Sequence, residues 1–85
     1  MVQVEIFWRE GCGFCNRVKS LFEQKGVNYK AYNIWEDPEY DALMKARVPN
    51  ARTVPQVFID GKHIGGCDDT MALDVSGELD KLLKL

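Results

Sequence analysis

Three things are scarce in this 85-residue sequence: surplus positive charge, long apolar runs and cysteine. Eleven Lys and Arg stand against thirteen Asp and Glu, a net of -2, and a chain without basic excess lacks the surface that tracks nucleic-acid phosphates. No nucleic acid is expected as a partner. No stretch approaches the roughly 20 apolar residues of a membrane span. The opening "MVQVEIFW" has neither the basic n-region nor the apolar core of a secretory signal. No membrane partner is expected, and the expected location is cytoplasmic. The cysteines number three, and in a reducing compartment so small and odd a set serves catalysis or metal binding more often than a disulfide framework. No repeat, low-complexity tract or Pro-, Gly- or Ser-rich linker divides the chain. Residues 1–85 therefore read as a single domain.

What is present has the make-up of a small globular protein, with 46% hydrophobic and 11% aromatic residues. Val2, Val4, Ile6 and Trp8 alternate with Gln3, Glu5 and Phe7, which predicts a first strand. Cys15, Val18, Leu21, Phe22 and Lys25 then recur at helical spacing, with Gly26 just past the helix end. "VNYKAYNI", residues 27–34, predicts a second strand, parallel to the first through a right-handed crossover. Asp37 and Pro38 read as the cap and first position of a second helix, striped by Tyr40, Leu43, Met44 and Val48. Asp60 and Gly61 between "VPQVFID" and "KHIGG" signal a hairpin. Met71, Ala72, Val75, Leu79, Leu82 and Leu83 predict a final helix interrupted near Ser76 and Gly77. The class is α/β, in the order βαβαββα.

"GCGFCNRV" places Cys12 and Cys15 where the first helix begins. A thiol attacks as its thiolate, and a helix N-terminus stabilises that anion through unpaired N–H groups and the positive end of its dipole. Cys15, one turn on and deeper, could attack a mixed disulfide on Cys12. Arg9 and Arg17 either add positive charge or are simply solvated. A second reading makes Cys12, Cys15, His63 and Cys67 a four-ligand zinc set. Against it stands the setting, because a CxxC opening a helix inside a βαβ unit reads as a redox pair.

Two further segments carry chemistry. Pro55 cannot donate to a ladder and so belongs at a strand start, either as an ordinary proline or with a cis bond, and the residues alone do not choose. In "GGCDD", residues 65–69, the glycines let a ligand approach the backbone and a helix start offers N–H groups to a carboxylate. Asp68 and Asp69 either receive an ammonium group or cap the helix.

Together "CGFC", "TVPQVFIDGKHIGGCDD" and "ALDVSGELDKLL" closely resemble the glutaredoxin family, above all the short bacterial dithiol members, over nearly the whole chain. The resemblance implies a thioredoxin-like fold with a four-stranded mixed sheet flanked by helices. It also implies a glutathione-dependent disulfide reductase acting on disulfide-containing and glutathionylated client proteins. On it, Cys12 is the nucleophile and Cys15 the resolving thiol. Arg9 meets the glycine carboxylate of glutathione. Thr53, Val54 and a cis Pro55 hold its cysteinyl part, and Cys67, Asp68 and Asp69 hold its γ-glutamyl end, with Phe14 counted among the glutathione-binding positions.

Where common dithiol members carry Pro and Tyr between the cysteines, this chain has Gly13 and Phe14. "CGF" instead resembles the CGFS motif of monothiol members, which are associated with iron–sulfur clusters, although the resolving cysteine is present. The alternative function is accordingly to bind or deliver a [2Fe–2S] cluster with Cys12 and glutathione as ligands. A monomer is expected, dimeric only with a cluster. A thioredoxin-like protein reduced by a flavoprotein is the third reading, and "TVP" with "GGCDD" argues against it.

Overall fold

The computed structural model describes residues 2–85. Eight elements follow one another: β1 (Val4–Trp8), α1 (Gly13–Gln24), β2 (Lys30–Asn33), α2 (Pro38–Arg47), β3 (Gln56–Ile59), β4 (Lys62–Gly65), α3 (Cys67–Ser76) and α4 (Glu78–Leu82). The sheet order is β2-β1-β3-β4. β1 pairs parallel with β2 and antiparallel with β3, which pairs antiparallel with β4. The expected βαβαββα order and mixed sheet are present, with the last helix in two pieces because Gly77 adopts φ 84° between them.

Local chemistry accounts for the joints. Asp37 caps α2, its carboxylate accepting from the Glu39 N–H at 2.9 Å, and Pro38 opens the helix. Asp60 and Gly61 both take positive φ, 51° and 80°, the pair that a two-residue turn needs to match the twist of β3 and β4.

Apolar residues fill both faces of the sheet. On one, Val4, Ile6, Val57 and Ile59 pack against Val18 and Phe22 of α1 and Leu79 of α4. On the other, Phe7 and Phe58 pack against Met44 of α2 and Ala51. Arg47 at the end of α2 locks this second layer, with a forked pair of 3.0 Å hydrogen bonds to Glu5 and its guanidinium 3.9 Å over Phe58.

Four local expectations differ from the structure. Phe7, placed among the outward residues of an alternating strand, is fully buried, because α2 covers the face opposite α1. The second strand is shorter than residues 27–34, running only over Lys30–Asn33 in register with Glu5–Trp8 of β1. In α2 Leu43 faces solvent and Met44 is buried. In α3 Ala72 and Val75 are exposed, while Thr70 is fully buried and its hydroxyl donates to the Gly66 carbonyl at 2.8 Å. No helix of the described residues is long and apolar enough to cross a membrane.

Candidate active site

Gly11, at φ 72°, turns the chain from β1 into α1 and leaves Cys12 in an extended conformation as the N-cap. The Cys15 N–H donates to the Cys12 Sγ at 3.1 Å. A sulfur held as a helix cap sits at the positive end of the dipole, where negative charge on it is stabilised. Cys12 is almost buried and Cys15 wholly so, the two joined as a disulfide. The pair can therefore cycle between dithiol and disulfide within one turn of helix.

Across from Cys12 stands the loop that enters β3. The Val54 carbonyl oxygen lies 3.7 Å from the Cys12 Sγ, and the Val54–Pro55 bond is cis. Gln56 braces this loop. Its buried amide donates to the Thr53 carbonyl at 3.0 Å, and its Oε1 lies 2.7 Å from His63 Nε2 on β4. A cleft of about 1200 Å³ runs past Cys12, with Arg9, Phe14 and Trp35 at one side and Thr53, Val54 and Asp68 among its other walls.

The sheet order sets the polarity of that cleft. Arg9 follows β1 on the side of β2, whereas Asp68 follows β4 at the opposite edge. The Arg9 guanidinium lies 4.9 Å from the Trp35 ring, and Phe14 is 61% exposed. Charged groups of both signs therefore border the cleft that Cys12 also borders, Arg9 on the β1–β2 side and Asp68 at the β4 edge.

The two aspartates divide their work. The Asp69 carboxylate accepts from the Gly66 N–H at 3.3 Å and so caps α3. Gly65, at φ 121°, is required beneath it, since a Cβ there would collide with that carboxylate. Asp68 is exposed and makes no side-chain hydrogen bond or ion pair among the described residues. Cys67 opens α3 and is almost buried, and burial pushes its thiol up against the opposing pull of Arg17. Arg17, a candidate for charge near Cys12, thus also lies near enough to the third cysteine to oppose that rise.

Cys12, Val54, Pro55, Thr53, Cys67, Asp68, Asp69, Arg9 and Phe14 all border this one cleft, and Cys15 lies beneath it. The zinc set is not brought together: Cys12 and Cys15 are bonded to each other, His63 turns to Gln56, and no group of three or more His, Cys, Asp or Glu among the described residues could hold a metal ion. Sequence reasoning passed over Trp35 and Gln56. Trp35 lies two residues past the end of β2, where a parallel βαβ unit places its site, and that position was the available signal.

A disulfide-forming pair at the head of the helix after the first strand, facing a cis-proline loop, defines a thioredoxin-like thiol–disulfide oxidoreductase. A glutaredoxin family model matches residues 4–64. Glutaredoxin 3 of Escherichia coli is 46% identical over 84 residues, 99% of this chain and 100% of its own length. A probable glutaredoxin of Synechocystis is 47% identical over 81 residues, 95% of this chain and 92% of its own. Among solved structures, a buckwheat glutaredoxin–glutathione complex superposes with a TM-score of 0.87 at 41% identity, covering 95% of this chain and 76% of that one. The glutaredoxin of Brucella melitensis gives 0.83 at 44% identity, covering 99% and 90%. The chain belongs to the glutaredoxin family.

Proposed function

We propose that the protein reduces glutathionylated proteins and protein disulfides with electrons from glutathione. The observation that carries this reading is Cys12 Sγ, which accepts from the Cys15 N–H and borders one cleft with Arg9, Val54 and Asp68. Glutathione has matching ends: a glycine carboxylate for Arg9, a cysteinyl backbone for Val54, and an α-ammonium for Asp68. The similarity to a glutaredoxin solved with glutathione supports the same occupant.

With a glutathionylated client, the Cys12 thiolate attacks the glutathione sulfur and the client thiolate leaves. A second glutathione thiolate then attacks that same glutathione sulfur, yielding glutathione disulfide and freeing Cys12. With a protein disulfide, Cys12 forms a mixed disulfide with one client sulfur while the other leaves as thiolate. Cys15 next attacks the Cys12 Sγ, releasing the second client thiol and leaving the Cys12–Cys15 disulfide for two glutathiones to reduce.

A coupled assay with glutathione, glutathione reductase and a small glutathionylated substrate tests the reading. Steady turnover is expected, and its absence overturns the proposal.

One observation favours a second role. Gly13, next to Cys12, has nothing beyond its chain neighbours within 4 Å of where a Cβ would stand, so no other segment crowds the turn that carries the thiol. Since no three ligating side chains gather within the described residues, a [2Fe–2S] cluster would take Cys12 from two chains and the thiols of two glutathiones, and its carrier would be a dimer.

A further inference from the structure

Trp35 belongs to none of the motifs that pointed to the activity, yet 66% of it is exposed at the lip of the cleft. Its place is held firmly. The parallel register pairs Trp8 with Asn33, the Ile34 N–H extends that pairing by donating to the Trp8 carbonyl at 2.9 Å, and the Trp35 N–H donates to Asn33 Oδ1 at 3.0 Å. The residues that follow β1 and β2 therefore stand side by side, and the Arg9 guanidinium comes to rest 4.9 Å from the Trp35 ring centroid. Arg9 Nη1 also donates to the Glu10 carbonyl at 3.0 Å, and the guanidinium forms no ion pair with another described residue.

We infer that Trp35 is a positioning residue, holding Arg9 so that the enzyme selects a thiol co-substrate with a free carboxylate at that end. The inference rests on the glutathione reading above. A guanidinium held over an aromatic ring is attracted by the ring's π face while N–H groups remain available to a carboxylate, and a planar fork held in place loses less freedom when it binds. Unstacked, Arg9 would sweep several rotamers from an exposed rim and meet the carboxylate only part of the time. Trp35 touches neither the reacting sulfur nor the leaving group, so its contribution belongs in binding and leaves the chemical step alone.

The test compares glutathione with its glycine monoethyl ester, which keeps the thiol and the γ-glutamyl end and blocks only the carboxylate assigned to Arg9. In the wild type the ester should have the higher KM. Trp35→Ala should shrink that KM ratio about 2- to 5-fold, equivalent to about 0.5–1 kcal/mol for an exposed cation–π contact. Its kcat should stay near wild type. Trp35→Phe should keep most of the discrimination, because the stacking face remains, while Arg9→Ala should abolish it. An unchanged ratio in Trp35→Ala, or a wild type that treats acid and ester alike, would overturn the inference and leave glutathione turnover standing. A wild type that does not turn over with glutathione would overturn both readings together.

Discussion

The Cys15 amide donates its hydrogen to the Sγ of Cys12 at 3.1 Å, so the sulfur proposed as nucleophile is also the cap of the helix whose N-terminus would stabilise its anion. A hydroxyl in that position would cap equally well, because serine is among the preferred N-cap residues. Cys12→Ser should consequently fold and melt like the wild type while its reductase activity drops to background on every disulfide substrate, since an alcohol supplies almost no anion at neutral pH. Retained turnover in this variant would remove Cys12 as the nucleophile.

Cys15→Ser separates the two routes. Removal of glutathione from a client needs only Cys12 and a second glutathione, so that activity should persist, whereas reduction of a protein disulfide should fall by an order of magnitude or more without the resolving attack. Parallel assays of the two substrates read the split, and equal losses would refute it.

Asp68 and Asp69 should also part company. Asp68→Lys should raise KM for glutathione about tenfold, the loss of one charge-assisted contact, with stability changed by no more than about 0.5 kcal/mol. Asp69→Ala removes the cap of α3 and should cost about 1 kcal/mol, or about 4–8 °C in Tm for a domain of this size. A Tm loss in the first variant with KM unmoved would reverse the assignment.

Glu5 links stability to acid. Hydrogen bonds from Arg47 hold its carboxyl below the ordinary 4.5, against an opposing push from burial. A carboxylate whose folded pKa is depressed contributes stability above its unfolded value and loses that contribution as pH falls through the folded one. Denaturant midpoints should therefore fall as pH drops below about 4.5. Glu5→Gln should flatten that decline and cost about 1 kcal/mol at neutral pH for a half-buried forked pair. A midpoint in Glu5→Gln with the same acid dependence as the wild type would assign the decline to other carboxyl groups.

Gly13 is the first residue of α1, a position that accepts proline, so Gly13→Pro should fold normally. The added ring would fix φ and remove the N–H at this position, stiffening the turn that carries Cys12. After anaerobic reconstitution with iron, sulfide and glutathione, the wild type should turn brown and partly dimeric, and Gly13→Pro should lose most of both signals. A colourless monomeric wild type ends the cluster reading.

The strands, helices and joints were largely legible in the sequence because each depends on neighbours a few positions away. Asp37 and Pro38 start α2, Asp60 and Gly61 make the turn, and Gly77 breaks the last helix, all through local backbone preferences and caps. Burial was less legible. Alternation marked Phe7 as outward because period two assumes one solvated face, and Val75 as inward because an apolar residue at helical spacing resembles a core residue wherever the helix packs.

By itself the sequence determined that a CxxC opens a helix after a first strand, and with it which sulfur stands at the helix N-terminus, since helix start and thiol lie within the same few residues. Tertiary structure alone decided what surrounds that sulfur. The parallel register of β1 and β2 brings Trp35 beneath Arg9, and the geometry of a single turn makes Asp69 the cap and leaves Asp68 free. Arg17 likewise acts on Cys67, fifty positions away in sequence. Contacts of this kind depend on the distances between chain segments after packing, a quantity that no local pattern of residue types encodes.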